Sequence, residues 1–243
     1  MGGIALLGHI PPNASLSERT IFPIISLSLW GFNTIMRLAR MAYYSLGHKI
    51  EPQAAVEHFY TGLDESTVSA IRLTIQLRRP LIKRPIRPGQ YAYLHFSDMG
   101  VRRRIQSHPY AIAWWDDSLN ATSLSFLIQP QSGISTELTS RKSVQTVYID
   151  GPYGKDLKLD NCETVILIAK GIGIAGVLSY LRHMTYRRVS KAKEHGSYRR
   201  GLITRNIDVY WIMEDNYQQD WVSEWIAQLH ERDSENVSLN QKH

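Results

Sequence analysis

From Val68 the chain alternates with a period of two. Ile71, Leu73, Ile75 and Leu77 stand between Arg72, Thr74 and Gln76, the pattern of a half-buried strand. Arg87-Pro88-Gly89-Gln90 supplies turn chemistry, and Tyr91, Tyr93 and His95 then alternate with Ala92, Leu94 and Phe96. The runs at 122–128 and 143–149 read as further strands. Short strands joined by polar turns, with no helix-length segment between them, predict an antiparallel barrel or sandwich over residues 55–150.

The second half has another rhythm. Residues 164–169, TVILIA, form a continuous apolar run, as expected of a parallel strand covered on both faces. The run feeds Lys170-Gly171-Ile172-Gly173 and then a helical pattern through Val177, Leu178 and Leu181. A second apolar strand follows at 207–213, and Trp221, Trp225 and Leu229 share a helical face beside Val222 and Ile226. Strand, glycine turn, helix, strand, helix is the start of a doubly wound α/β domain. Between these elements, Arg187, Arg188, Lys191, Lys193, Arg199, Arg200 and Arg205 have little apolar company and read as a solvated loop, or else as a contact for phosphate.

The first 50 residues differ from both halves. Met1 to Pro12 lack the basic start of a signal peptide. The apolar run at 21–32 is interrupted by Pro23, Ser26 and Ser28 and falls short of the roughly 20 residues a spanning helix needs. Over 29–46, Ile35, Leu38, Ala39, Ala42 and Leu46 share one helical face, with Arg37 and Arg40 off it. This basic amphipathic helix either packs on the next domain or lies on an anionic membrane surface. The expected division is a membrane-proximal segment at 1–50, a barrel at 51–158 and a partial α/β domain at 159–243.

Composition narrows the partners. The chain has 243 residues, 43% of them hydrophobic, which is enough for two modest cores. Its net charge of +6 favours an anionic partner: a nucleotide cofactor, an acidic lipid surface or nucleic acid. No nucleic-acid recognition motif accompanies that charge. Cys162 is the only cysteine, so neither a disulfide framework nor a cysteine-based metal site is expected.

Three glycine-bounded stretches and one histidine carry the candidate chemistry. Gly171 and Gly173 leave a buried strand and open a helix, where backbone amides can meet a phosphate, although the spacing is not Gly-x-Gly-x-x-Gly. Gly133-Ile134-Ser135-Thr136 follows a strand, so Ser135 or Thr136 can cap a short helix whose amides would hold a diphosphate. Gly151-Pro152-Tyr153-Gly154 is a tight turn where the two halves join, and His108-Pro109-Tyr110-Ala111 opens a strand. Each alone is an ordinary turn or strand.

Their order is not ordinary. The succession RPGQYAYL, SHPYAI, LSFLIQPQSGIST, DGPYG, VILIAKGIGIAG and YWIMED resembles the cytosolic flavin- and NADPH-binding module of the ferric reductase and NADPH oxidase family, most closely the fungal ferric-chelate reductases, over roughly residues 30–230. The resemblance implies an FR-type FAD-binding barrel followed by a partial NADP-binding domain. His108 and Tyr110 would lie against the flavin and its ribityl phosphate, with Pro109 holding the strand's path. Gly133, Ser135 and Thr136 would meet the FAD diphosphate. Gly151, Pro152, Tyr153 and Gly154 would border the NADPH entrance, and Gly171 and Gly173 its phosphates. Hydride would pass from NADPH to FAD, and single electrons from FAD to a haem or ferric chelate at the cytoplasmic face of a membrane, with no catalytic acid or base and no metal ligand. The alternative is a catalytically incomplete FAD-binding relative.

Several residues depart from the family pattern. Ala111 stands where a hydroxyl is usual, Lys170 where a glycine is, Ala175 where Thr or Ser is, and Glu214 where a basic residue is; Asn33-Thr34 replaces Asp-Arg. His9 and His48 flank the apolar segment without sharing a helix, so no haem site is expected. The family's Cys-Gly motif would follow His243, which implies that NADPH reduces the bound flavin slowly or not at all.

Overall fold

In the computed structural model the described residues are 16–45, 53–62, 67–77, 85–96, 108–116, 121–141, 145–195, 204, 206–232 and 237–242. Six strands close a barrel: β1 (Gln53–Tyr60), β2 (Val68–Gln76), β3 (Tyr91–Phe96), β4 (His108–Trp115), β5 (Ser123–Ile128) and β6 (Gln145–Tyr153). Their order around it is β1-β2-β5-β4-β3-β6, with every neighbouring pair antiparallel. The alternation on β3 points Ala92, Leu94 and Phe96 inward, where they meet Leu73, Ile75, Phe126 and Val147.

Four α-helices are present among the described residues: α1 (Leu16–Ser45), α2 (Ile134–Thr139), α3 (Ile174–His195) and α4 (Ser223–Arg232). The α/β module runs β7 (Thr164–Lys170), α3, β8 (Asn206–Ile212), α4 and β9 (Val237–Lys242), with the strands parallel in the order β7-β8-β9. Val165, Leu167 and Ala169 are buried, but Ile166 and Ile168 stay 59% and 69% exposed. The expectation of a strand covered on both faces is therefore corrected. The described strands wind in one direction from β7, and right-handed crossovers of that kind lay their helices on the same face.

The basic stretch beginning at Arg187 also differs from its reading as a loop, because α3 continues through His195. Leu178, Leu181, Met184 and Thr185 extend a buried stripe at helical spacing to Arg188, whose Nη2 lies 3.5 Å from the Thr204 carbonyl oxygen. An arginine stem can occupy such a stripe while its head finds a carbonyl. Arg199, Arg200 and Arg205 lie outside the described residues.

The N-terminal helix corrects a second expectation. It runs unbroken through Pro23, and Ile21–Ala39 is long and apolar enough to cross a membrane by length and composition. Phe22, Trp30, Phe32, Ile35 and Leu38 are all more than half exposed, so the apolar face does not pack on the barrel. Serine does not stop a helix in the way its hydropathy interrupts an apolar run. Leu46 lies outside the described residues.

Barrel and α/β module meet around Arg72. The alternation predicts a solvent-facing side chain there, yet Arg72 is only 7% exposed. Its Nη1 lies 2.7 Å from Glu224 and 3.0 Å from Glu57, and its Nη2 donates to the Trp221 carbonyl oxygen at 3.0 Å. The guanidinium also stands over the Trp225 ring at 4.4 Å and the Phe59 ring at 5.1 Å. Trp114 of β4 stacks on Trp225 with centroids 5.6 Å apart, and the Trp221 indole donates to the Ser69 hydroxyl. Arg72→Leu removes the guanidinium contacts while Glu57 and Glu224 stay hydrated, so a loss of about 2 kcal/mol is expected. Calorimetry checks this: one unfolding transition is expected for the unmodified chain and separate barrel and α/β transitions for the variant.

Candidate functional site

Strand register assembles the site. Tyr91 of β3 lies opposite Ala111 of β4 on one side and Tyr153 of β6 on the other; Tyr93 lies opposite Pro109 and Asp150. The His-Pro-Tyr-Ala and Gly-Pro-Tyr-Gly stretches, 40 residues apart, thus flank one strand. On the outer face the rings of Tyr91, Tyr93 and Tyr153 meet with centroids 5.8–5.9 Å apart.

A buried carboxylate fixes this aromatic group. Tyr153 donates its hydroxyl to Asp150 Oδ1 at 2.6 Å. Arg37 of α1 donates from Nε and Nη2 to Asp150 Oδ2 at 3.0 and 2.8 Å, and its guanidinium stands 5.6 Å from the Tyr93 ring centre. Between helix and barrel lies a cavity of about 370 Å³, lined by Asn33, Met36, Arg37 and the three tyrosines. Aromatic walls with one cation suit a planar ring that has a polar edge.

The other expected residues are distributed around this face. His108 and Pro109 are exposed at the start of β4, and Tyr110 is half-buried against the barrel core, where burial pushes its phenol above the usual range. Antiparallel pairing carries the end of β5 toward the His108 end of β4, so the loop leading to Gly133 emerges on the same side. The expected cap is corrected: Gly133 is the N-cap of α2, with no side-chain capping bond, and Ser135 lies inside the helix. Its hydroxyl accepts from the Gln131 N–H and donates to the Ser132 carbonyl oxygen, both at 3.1 Å. Ser135 therefore shapes the loop, while Thr136 is exposed.

The glycines fall into two groups. A Cβ on Gly151 would come within 2.9 Å of Ala92 Cβ, and one on Gly154, at φ 102°, within 2.8 Å of the Gly89 carbonyl oxygen. These two are required by packing. A Cβ on Gly133, Gly171 or Gly173 would meet nothing within 4 Å. Space for a ligand therefore lies over the α2 turn and over the turn that opens the 22-residue helix α3, whose first amides can face a phosphate. The Gly171 carbonyl oxygen accepts from the Trp211 indole at 3.0 Å, which fixes the turn to β8. Lys170 and Glu214, two departures from the family pattern, form an exposed ion pair at 3.5 Å across the carboxyl ends of β7 and β8.

Residues 65–157 match the FAD-binding domain family, and residues 162–241 match the ferric reductase NAD binding domain. The chain thus carries an FAD-binding domain followed by a ferric reductase NAD binding domain. It is 24% identical over 162 residues to ferric reductase transmembrane component 3 of Saccharomyces cerevisiae, covering 64% of this chain and 20% of that protein. It is 26% identical over 184 residues to respiratory burst oxidase homolog protein B of Arabidopsis thaliana, covering 61% and 21%. The chain thus spans about a fifth of the length of these curated relatives. Among solved structures, ferredoxin-NADP+ reductase from Plasmodium falciparum superposes with a TM-score of 0.55 at 17% identity, covering 82% of this chain and 73% of the other. Phthalate dioxygenase reductase gives 0.52 at 16%, covering 80% and 52%. The ferric reductase assignment agrees with the barrel and α/β pair and with FAD and NAD(P) as the cofactors of its two domains.

Arg37, Asp150, Tyr91 and Tyr93 were not among the site residues expected from sequence. The alternation displayed the two tyrosines, and an acid directly before Gly-Pro in a strand was a further signal. Arg37→Met leaves Asp150 with one fewer charged donor. Because Arg37 is 43% exposed, screening limits the expected loss to about 1 kcal/mol. Thermal unfolding in detergent checks this, and Arg37→Lys should recover only part because it cannot donate from two nitrogens of one fork.

Proposed function

We propose that this chain is a flavoprotein reductase module that holds FAD on the β6–β3–β4 face, takes reducing equivalents from NADPH at the Gly171–Gly173 turn and delivers single electrons to a haem or ferric chelate. The observation that carries this reading is the register that sets Ala111, Tyr91 and Tyr153 side by side beneath an aromatic cavity. FAD supplies the conversion of a two-electron donor into a one-electron donor. The chain's own residues position and enclose. Tyr91, Tyr93 and Tyr153 offer ring faces and edges to a planar group, and the Asp150 carboxylate holds Tyr153 in place. His108, exposed at the mouth, is placed to donate to a phosphate, and the open amides beyond Gly133 and Gly171 face two further phosphate positions. No side chain is required as a general acid or base.

The apolar exterior of α1 supports a location at a membrane, with the barrel on the cytoplasmic side. There Arg37 joins the helix to the flavin-facing strands, so an acceptor in or at the bilayer would lie on the side of the tyrosine cavity.

FAD titration of the detergent-solubilised chain is the direct test. A Kd near micromolar, about −8 kcal/mol, is expected. His108→Ala should weaken binding roughly tenfold or more by removing a donor to a charged group. Failure to bind well above micromolar FAD overturns the flavin reading. A second outcome concerns the dinucleotide. A carboxylate at the end of the second strand opposes a 2′-phosphate, whereas an arginine accommodates one. Glu214→Arg is therefore expected to raise NADPH affinity by about tenfold while leaving NADH affinity unchanged or lower, measured by fluorescence titration.

A further inference from the structure

A second cavity of about 530 Å³ is lined by none of the residues placed at the proposed flavin and dinucleotide positions. Three separate pieces of chain wall it: residues 85–87 leading into β3, residues 156–161 joining the modules, and the middle of α3. It is not the dinucleotide position, because Asp160 and Asn161 precede the amino end of β7 while Gly171 leaves the carboxyl end, about 20 Å along the strand. Nor is it the flavin face. Arg182, which lines it, donates to the Asp116 carbonyl oxygen just beyond the end of β4, about 23 Å along that strand from His108.

Its charges are unbalanced. Arg87, Lys158, Arg182 and Arg187 face it with two carboxylates, Asp156 and Asp160. Arg187 is already engaged with Asp160. Asp156 Oδ1 accepts the Lys158 backbone N–H at 2.9 Å, beside a left-handed backbone at Lys158 with φ 52°. That conformation is unusual for a residue other than glycine, and such strain gathers where a side chain must be aimed. Neither Arg87 nor Lys158 has a carboxylate partner among the described residues. Burial holds the His183 imidazole below the usual range, with Asp156 opposing that shift and Arg182 and Arg87 adding to it.

We propose that this cavity binds a phosphate-bearing anion that bridges the barrel and the α/β module. The Arg87 fork, from the turn before β3, and the Lys158 ammonium, from the segment joining the modules, supply complementary donors. The Arg87 turn is already seated on α3, where the Gly89 N–H donates to the Ser179 hydroxyl at 3.0 Å. An anion between Arg87, Lys158 and α3 would therefore tighten the same seam that Arg72 closes on the other side. The site does not depend on FAD or a dinucleotide being bound.

The test is calorimetric titration of the full chain in detergent with inorganic pyrophosphate, alone and with saturating NADPH. Binding that survives NADPH is expected. Arg87→Ala with Lys158→Gly should weaken it about a hundredfold, since each charged donor contributes roughly tenfold. Glycine at 158 keeps the left-handed backbone accessible. Arg87→Lys with Lys158→Arg should retain binding, which separates lost charge from lost folding. The phosphate is presented either free or on a lipid headgroup. Flotation of the neutralised variant with phosphatidic acid vesicles distinguishes these: recovery equal to the unmodified chain marks a free anion, and reduced recovery marks a headgroup. No pyrophosphate binding at millimolar concentration, full displacement by NADPH, or binding unchanged in the neutralised variant overturns the proposal.

Discussion

Two modules of different architecture meet along a seam, and the guanidinium of Arg72 lies inside it, on a barrel strand but bonded to the α/β module. Its charge is compensated by carboxylates at the rim, Glu57 and Glu224, while its plane is covered by Trp225 and Phe59. Such an arrangement avoids much of the penalty of a buried ion pair, because the acids remain hydrated and only the more weakly hydrated guanidinium is enclosed. Directionality is what it adds beyond the Trp114–Trp225 stack. Stacked rings can slide, whereas a donor fixed on the Trp221 carbonyl oxygen cannot move without breaking a bond. The Gly171–Gly173 turn belongs to the α/β module and the aromatic cavity to the barrel. Under the proposed function the reacting rings must approach to about 3–3.5 Å, so the angle set at this seam bears directly on that function.

The N-terminal helix is attached on a different principle. Its apolar surface faces outward, and its link to the barrel is polar: the Arg37 guanidinium on a carboxylate that is almost wholly buried. An apolar helix held by a hydrophobic contact would compete with lipid for the same surface. A directed charge pair avoids that competition, and it transmits position to Tyr153 because both groups bond to Asp150. The apolar helix and the tyrosine face of the barrel are thereby joined through one carboxylate.

Much of this was legible from the chain because barrel strands and parallel strands leave different periodicities. β3 alternates and β7 does not, and the two modules divide where that change occurs. What escaped depended on neighbours. The apolar run of β7 is half exposed because covering its second face is a property of topology, and no local pattern encodes it. Arg72 and Arg188 read as polar, yet both are enclosed, since a long stem can fill a stripe whose other members are apolar. Ser135 has the right type and place for a cap, but Gly133, at φ 68°, takes that position and leaves the hydroxyl to the loop. Arg37 and Asp150 are 113 residues apart, and nothing in either local sequence pairs them.

The same distinction between local type and surroundings separates the motif glycines. Gly154 adopts a left-handed conformation against the Gly89 carbonyl oxygen, and Gly151 is pressed on Ala92, so both serve to bring β6 against β3. Their effect on a cofactor is indirect, through the placement of Tyr153 between them. Gly171 also has positive φ, but open space surrounds it and Gly173. A side chain there would collide with no protein atom, so packing does not account for these residues: the positive φ favours glycine at Gly171, and the open space leaves the backbone of both bare. The Gly-Pro-Tyr-Gly turn is therefore a strut for an aromatic ring, while the Gly-Ile-Gly turn is a bare amide surface. Sequence alone writes both as glycine-bounded turns; only what surrounds each residue assigns the different physical work.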